Sequence, residues 1–422
     1  MSMHRFACCW GLFCIWLSTG VVSARVCSGA DLADWLGFRG DGTSQAASDG
    51  PDSLSLADDG NLKWKIALPG KSVAGPIVVG DLVVTTSSSG EDGEVLHICG
   101  VDLNDGTLRW EQTFRATGRP FCHPTSANAA PSPMSDGRRI YAFFSSNDLI
   151  CLDLTGRLIW YRGLGFDYPQ AGNDIGMASS PTMVDGVVVV QVESQGDSFA
   201  AGIDALTGKN LWRIDRPRAA NWSSPLVIPR PDQSNEVVFQ SRTDVLAVEP
   251  RTGKIRWEIN EPAATIASAT LADSYLLIPG SELLALDVGG SASTPEVVWR
   301  NNKLVPRNAS LVVGGERLYA LKGSVLVAGN RSDGETIWQQ RLSGLGGTWA
   351  TPVFANDKLY IFDQAGKGIV VADQGDKAAI ISEVDLGEAV LASPAVVSGR
   401  LIVRGEQTLF CFDSSSDSAS AD

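Results

Sequence analysis

Asp204-Ala-Leu-Thr-Gly208-Lys-Asn-Leu-Trp212 is the stretch on which the fold turns. Asp102-Leu-Asn-Asp-Gly106-Thr-Leu-Arg-Trp110 and Glu249-Pro-Arg-Thr-Gly253-Lys-Ile-Arg-Trp257 keep its carboxylate, its glycine and the four-residue step to tryptophan. Asp153 to Trp160 and Asn330 to Trp338 repeat it with small changes, and Asp287 to Trp299 carries an insertion. The local chemistry accounts for the pattern. A carboxylate ending one strand accepts N–H groups in the turn, the glycine supplies the positive φ of a tight hairpin, and the tryptophan rides on the next strand.

Tryptophans 64, 110, 160, 212, 257, 299 and 338 lie 39 to 52 residues apart, in the range of propeller blades. Two more strands precede each motif, such as 186–193 (GVVVVQVE) and 317–323 (RLYALKG), alternating or wholly apolar as a sheet covered on both faces requires. One such sheet cannot bury both faces alone, so the units must stack around an axis with tryptophans between neighbours. Eight units begin near Ser72, Asn128, Met177, Asn221, Ile266, Arg307, Thr348 and Val390. The seventh has Lys377 and Ile381 where glycine and tryptophan are expected. The eighth stops at Phe412-Asp413 after three strands, and Gly60-Asn-Leu-Lys-Trp64-Lys-Ile-Ala-Leu68 carries the missing half of the motif. The sequence therefore predicts an all-β, eight-bladed propeller of four-stranded antiparallel blades over 60–413. Its ring is closed by the N-terminal strand 60–68, which completes blade eight and removes the open sheet edge.

Composition agrees with this reading. Of 422 residues 44% are hydrophobic, 44 are glycine, 20 are proline and 19% are charged, which excludes both a disordered chain and a helical bundle. A formal net charge of −14 leaves no basic footprint for nucleic acid. His4-Arg5, the apolar run 6–22 and the small residues Val22-Ser23-Ala24 and Ser28-Gly29-Ala30 predict a signal peptide over 1–30, cleaved after 24 or 30; an uncleaved membrane anchor is the alternative. Export to the periplasm, cell envelope or extracellular space is expected, with no transmembrane segment after the signal. Residues 31–59 are an extension lying along the propeller with Trp35 and Phe38 as anchors, and 414–422 are a disordered acidic tail. Cys8, Cys9 and Cys14 leave with the signal, and Cys27 lies at the cleavage region. Cys99, Cys151 and Cys411 stand where other copies carry Gly202, Ala247 and Ala285, so they read as small apolar residues between sheets rather than disulfide partners.

The D-x-x-T-G-x-x-x-W copies, the small-residue-Ser-Pro strand starts and the segment Asp34-Trp35-Leu36-Gly37-Phe38-Arg39-Gly40 resemble the PQQ-like β-propeller repeat family, over about residues 60–413. The resemblance is specific for fold and weak for function. Its members include quinoprotein alcohol dehydrogenases, the propeller lipoprotein of outer-membrane β-barrel assembly and sensor modules of kinases. For the enzymes, it implies a vicinal disulfide against pyrrolo-quinoline quinone (PQQ) and acidic and amide ligands for Ca²⁺. Here the only adjacent cysteines are Cys8 and Cys9, in the signal.

Other catalytic patterns fail on residue supply. Past the signal only His97 and His123 remain, too few for a multi-histidine metal site. Arg119-Pro120-Phe121-Cys122-His123 has arginine where a haem-attachment motif needs its first cysteine, and Gly70-Lys71-Ser72 lacks the first glycine of a phosphate loop. His97, in an apolar strand, reads as a hydrogen-bonded structural residue.

The strand opening each blade lies nearest the axis. Just before its proline or equivalent stand Gly75, Ser132, Ser180, Ser224, Ala269, Ser310, Thr351 and Ser393, six of them hydroxyl-bearing. Trp222 and Trp349 lie outside the motif at matched positions near these starts, and with Asn221, Arg307 and Asn308 they are expected at the axial mouth, covered by the insert Phe114–Asn128 with Arg115, Arg119 and His123. Two readings stand for that cluster: a plug of the wide axis, with serines satisfying strand ends, or a site for a planar ligand, sugar or extended segment. The leading functional expectation is an exported, monomeric, non-catalytic propeller that binds a protein partner or a small ligand or glycan through one face, without cofactor or metal. The alternative is a PQQ-dependent or other quinone-using oxidoreductase.

Overall fold

The computed structural model describes residues 34–414 apart from 59, 173, 232 and 291–293. The expected signal peptide and tail lie outside the described residues, save Ser414. Eight four-stranded antiparallel sheets are present among them. In each of blades one to seven the strands follow chain order from the axis outward, for example Thr182–Val184, Val187–Val192, Phe199–Asp204 and Asn210–Asp215 in blade three. Blade eight departs from that order. Its three C-terminal strands, Ala395–Val397, Arg400–Arg404 and Thr408–Asp413, take Leu62–Ala67 as their fourth, with Trp64 opposite Cys411 and Lys63 paired to Asp413 at 2.7 Å.

Each motif is a contact between blades. The indoles of Trp64, Trp110, Trp160 and Trp212 donate Nε1–H to Leu103, Leu154, Ala205 and Pro250 carbonyls in the turn of the following blade. The ring then lies on that turn's glycine. A Cβ at Gly253 would sit 2.6 Å from the Trp212 indole, and its φ of +69° also favours glycine. Cys99, Cys151 and Cys411 are free and buried; Cys151 and Cys411 stand opposite motif tryptophans as the repeat alignment implies, whereas in blade one Gly100 holds that place and Cys99 lies on the other face, opposite Glu111.

Blade seven corrects the sequence reading. The register places Ser382, opposite Val370, where other blades carry tryptophan, while Ile381 points out and is 46% exposed. Ser382 Oγ accepts the Leu54 N–H at 2.9 Å, and Leu54, buried, packs into the cluster with Val370, Leu386 and Val390. A leucine from the N-terminal extension thus takes the place of the missing indole.

The extension also crosses the end of the axis where the inner strands finish. Trp35 pairs with Val78 of blade one, Thr43 receives Val313 N–H of blade six, and Ser44 receives Phe354 N–H of blade seven. Arg39 is driven inward more deeply than Phe38. It is 3% exposed and donates to Ala269 O (2.6 Å), Thr270 Oγ1 (2.8 Å) and Leu311 O (3.3 Å).

The turn carboxylates contribute to the acid resistance of the fold. The hydroxyl of Thr155, then the Arg157 backbone and side chain, hold Asp153 down from 3.8 to about 2; Thr207 lowers Asp204, and Arg109 lowers Asp102. Because the folded state keeps these groups ionised where the unfolded chain takes up protons, the stability they give is full above pH 3.8 and is lost as pH falls toward about 2. Asp153→Asn is expected to lower the unfolding midpoint at pH 7, and its curve should converge with that of the parent near pH 2. Parallel curves across thermal scans at several pH values would contradict this.

Candidate functional site

At the end where the inner strands begin, backbone N–H groups bond in sequence to hydroxyls of the next blade. Gly75 gives to Ser132, Ser132 to Ser180, Ser180 to Ser224, Ser224 to Ser268, Ser268 to Ser310, Ser310 to Thr351 and Thr351 to Ser393, at 2.9 to 3.0 Å. In blade five the member is Ser268, not Ala269, because that blade has no proline to mark the register. Seven of the eight positions are therefore hydroxyls. Gly75 breaks the circuit, since a Cβ there would lie 2.7 Å from Ser393 O.

Around this ring the expected mouth residues divide into groups. Trp349 is 43% exposed, with Nε1 on Gln364 Oε1 at 3.2 Å. Beside it in blade six, Asn308 reaches Thr348 O at 3.5 Å and Arg307 is exposed. Trp222 stands in blade four, half-buried, its Nε1 on Gly176 O at 2.8 Å. His123, exposed, gives its backbone N–H to the adjacent Ile175 O, so the insert and Trp222 share one loop. Pro124 O accepts Lys71 Nζ at 2.7 Å, and Lys71 pairs with Glu406 at 2.8 Å, which carries the insert's contacts across to blade eight. Arg119 lies over the Phe121 ring, which is 48% exposed.

Asn221 does not face the mouth. It is buried, and its Nδ2 donates to Glu193 Oε2 (2.9 Å) and Gln240 O (2.7 Å), while its Oδ1 accepts Ser223 N–H and O–H. Glu193 Oε1 accepts Arg216 Nε at 2.8 Å and Gln191 Nε2 at 3.0 Å, and Arg216 also pairs with Asp244 at 2.8 Å. Burial pushes the Glu193 carboxyl upward and the Arg216 charge opposes it. Asn128 is likewise structural, holding Ser146 N–H and Gly93 O. So is His97, between Ser89 Oγ (2.7 Å) and Glu111 Oε1 (2.8 Å).

The mouth fits one half of a quinone site. The exposed Trp349 indole, with Arg307 in the adjoining blade, suits a flat anionic ring. The metal half does not fit. Among the described residues no three histidine, cysteine or acidic side chains converge on one point, and the best-placed acid and amide, Glu193 and Asn221, are taken up with each other and with Arg216. The described cysteines, Cys99, Cys122, Cys151 and Cys411, are free and none is adjacent to another. At the far end of the axis a cavity of about 730 Å³ lies under the extension, lined by Phe38, Met134, Met183, Leu226, Leu271 and Arg331.

The sequence reading missed the buried arginines Arg39, Arg216 and Arg404. For Arg404 a signal existed. Its register-mates at the ends of the second strands are Thr86, Phe143, Gln191, Gln240, Pro279, Leu321 and Phe362, so it is the one charged residue in that column.

A family model described as outer membrane protein assembly factor BamB matches residues 19–175, 171–276 and 288–379. A polyvinylalcohol dehydrogenase from Pseudomonas sp is 25% identical over 362 residues, covering 73% of this chain and 51% of that protein, so the chain spans about half the length of that relative. The outer membrane protein assembly factor BamB of Burkholderia pseudomallei is 24% identical over 356 residues, covering 82% of this chain and 76% of that protein. Among solved structures, the quinohemoprotein alcohol dehydrogenase of Comamonas testosteroni superposes with a TM-score of 0.66 at 13% identity, over 90% of this chain and 80% of that one, a likeness of fold. The match to a dehydrogenase overturns the expectation of a non-catalytic binding module and favours its alternative. With the family model covering most of the chain and eight blades in place, this protein belongs to the PQQ-like β-propeller repeat family, in the branch whose model bears the BamB description.

Proposed function

We propose that this chain is the propeller of an exported oxidoreductase that oxidises hydroxyl-bearing substrates at the axial mouth, with a quinone as the class of electron acceptor. The observation that carries this reading is the exposed Trp349 indole beside Arg307 and Asn308 at the open end of the ring, in a chain matched by a polyvinylalcohol dehydrogenase. An indole face takes the apolar side of a polyol or a flat ring, while guanidinium and amide groups take its oxygens. Trp222 and His123, three blades away, are the opposite wall of the same site. The calcium-assisted form of the chemistry is not part of the proposal, because the residues for it are absent or engaged. The match to an assembly factor supports an envelope location and a protein contact beside the catalytic role.

Dye-linked oxidation of polyvinyl alcohol, secondary alcohols and sugars, measured after incubation with PQQ with and without Ca²⁺, tests the reading. Dye reduction together with a bound quinone absorption band, independent of Ca²⁺, is expected; silence in both assays removes it. Replacing Trp222 and Trp349 with alanine should abolish turnover with a modest loss of stability, because residues at a solvent-filled mouth pack few neighbours. If that double variant unfolds as badly as one lacking an inter-blade indole, the cluster is a plug.

A further inference from the structure

The seam where blade eight meets blade one holds a buried guanidinium left short of hydrogen-bond acceptors. Arg404 ends the second strand of blade eight and is 0% exposed. Its Nε and Nη1 have no hydrogen-bond partner, and its Nη2 reaches only Glu406 O at 3.4 Å. No carboxylate among the described residues forms an ion pair with it. Glu388, the acid that acts on it electrostatically, is committed to the N–H groups of Gln407 (2.8 Å) and Thr408 (3.0 Å).

Register shows what Arg404 faces. Ile402 lies opposite Cys411, and Cys411 opposite Trp64, whose indole reaches into blade one; Arg404, two residues beyond Ile402, shares that face. Across the seam Cys99 feels the Arg404 charge. Thr85 is paired with Cys99, and Ser87 follows two residues on, so both side chains look toward blade eight. Thr85 Oγ1 and Ser87 Oγ are buried and also lack partners. The other polar groups along this edge are engaged or uncharged. His97 is held by Ser89 and Glu111, and burial keeps the Cys99 thiol neutral by pushing it up to about 12.

Buried donors without acceptors are costly, and a buried guanidinium whose acid, Glu388, acts on it only from beyond contact distance is costlier. Water would answer the N–H groups alone; a monovalent anion answers them and pairs with the guanidinium at contact distance, and hydroxyls can turn their protons toward it. We infer that the closing seam binds a small inorganic monoanion of halide size, held by Arg404 Nε and Nη1 and by the hydroxyls of Thr85 and Ser87.

The test follows thermal unfolding of the full chain in sodium chloride against sodium gluconate at constant ionic strength, with bromide-soaked crystals read by anomalous scattering. Chloride should stabilise, the unfolding equilibrium constant falling about tenfold for each tenfold rise above the dissociation constant, and bromide should give a peak beside Arg404. Arg404→Met should fold and lose the chloride response. Should it fail to fold, Thr85→Val with Ser87→Ala supplies the test, its response to chloride weakened. Equal midpoints in chloride and gluconate, a response undiminished in whichever variant folds, or water alone at the seam would overturn the proposal.

Discussion

A chain lacking residues 60–68 is expected to lose cooperative unfolding and to aggregate. Blade eight would keep three strands, and Thr408–Asp413 would present an unpaired edge of the kind that templates association between molecules. The loss of Trp64 alone, buried against the Gly106 turn and bonded to Leu103 O at 3.0 Å, removes about 3 to 5 kcal/mol by analogy with other large core truncations. Size-exclusion chromatography with thermal scans reads both effects. A monomer with an unchanged midpoint would mean that the ring closes without this strand.

The second large effect belongs to Trp212→Ala. This indole is buried, donates to Pro250 O at 2.7 Å and lies on Gly253, so alanine leaves a void between blades three and four and an unsatisfied carbonyl. A cost of about 3 to 5 kcal/mol is expected in denaturant unfolding, with the axial mouth unaltered in ligand preference. A change below about 1 kcal/mol, of the size typical of surface substitutions, would show that the motif tryptophans do not set the blade contacts.

Fold and site differed in how much of them the sequence displayed. The repeat was legible because every blade solves the same problem with the same parts. Turn carboxylate, glycine and indole recur at fixed spacing, and even the interrupted eighth copy could be completed from Gly60 to Leu68. The sequence places blade seven's tryptophan position one residue early, at Ile381, because the apolar filler there comes from elsewhere, from Leu54, which no comparison of copies can show. The hydroxyl circuit was visible except at Ser268, where no proline fixed the register. Site residues share no such periodicity. Trp222 and Trp349 stood out only as departures from the repeat, while Asn221, alike in sequence context, proved to be tied inward by Glu193 and Gln240. Arg216 and Arg404 were hidden because an arginine in a strand or just past its end looks solvated until its neighbours are known.

The extension laid across the far end of the axis bears on how a long molecule can meet this protein. Arg39 reaches the inner strands of blades five and six, and the segment around it runs from blade one to blade seven. The extension therefore lies across the path of the axis at that end. A long molecule that entered from the hydroxyl-ring end would meet Arg39 and this segment in its way.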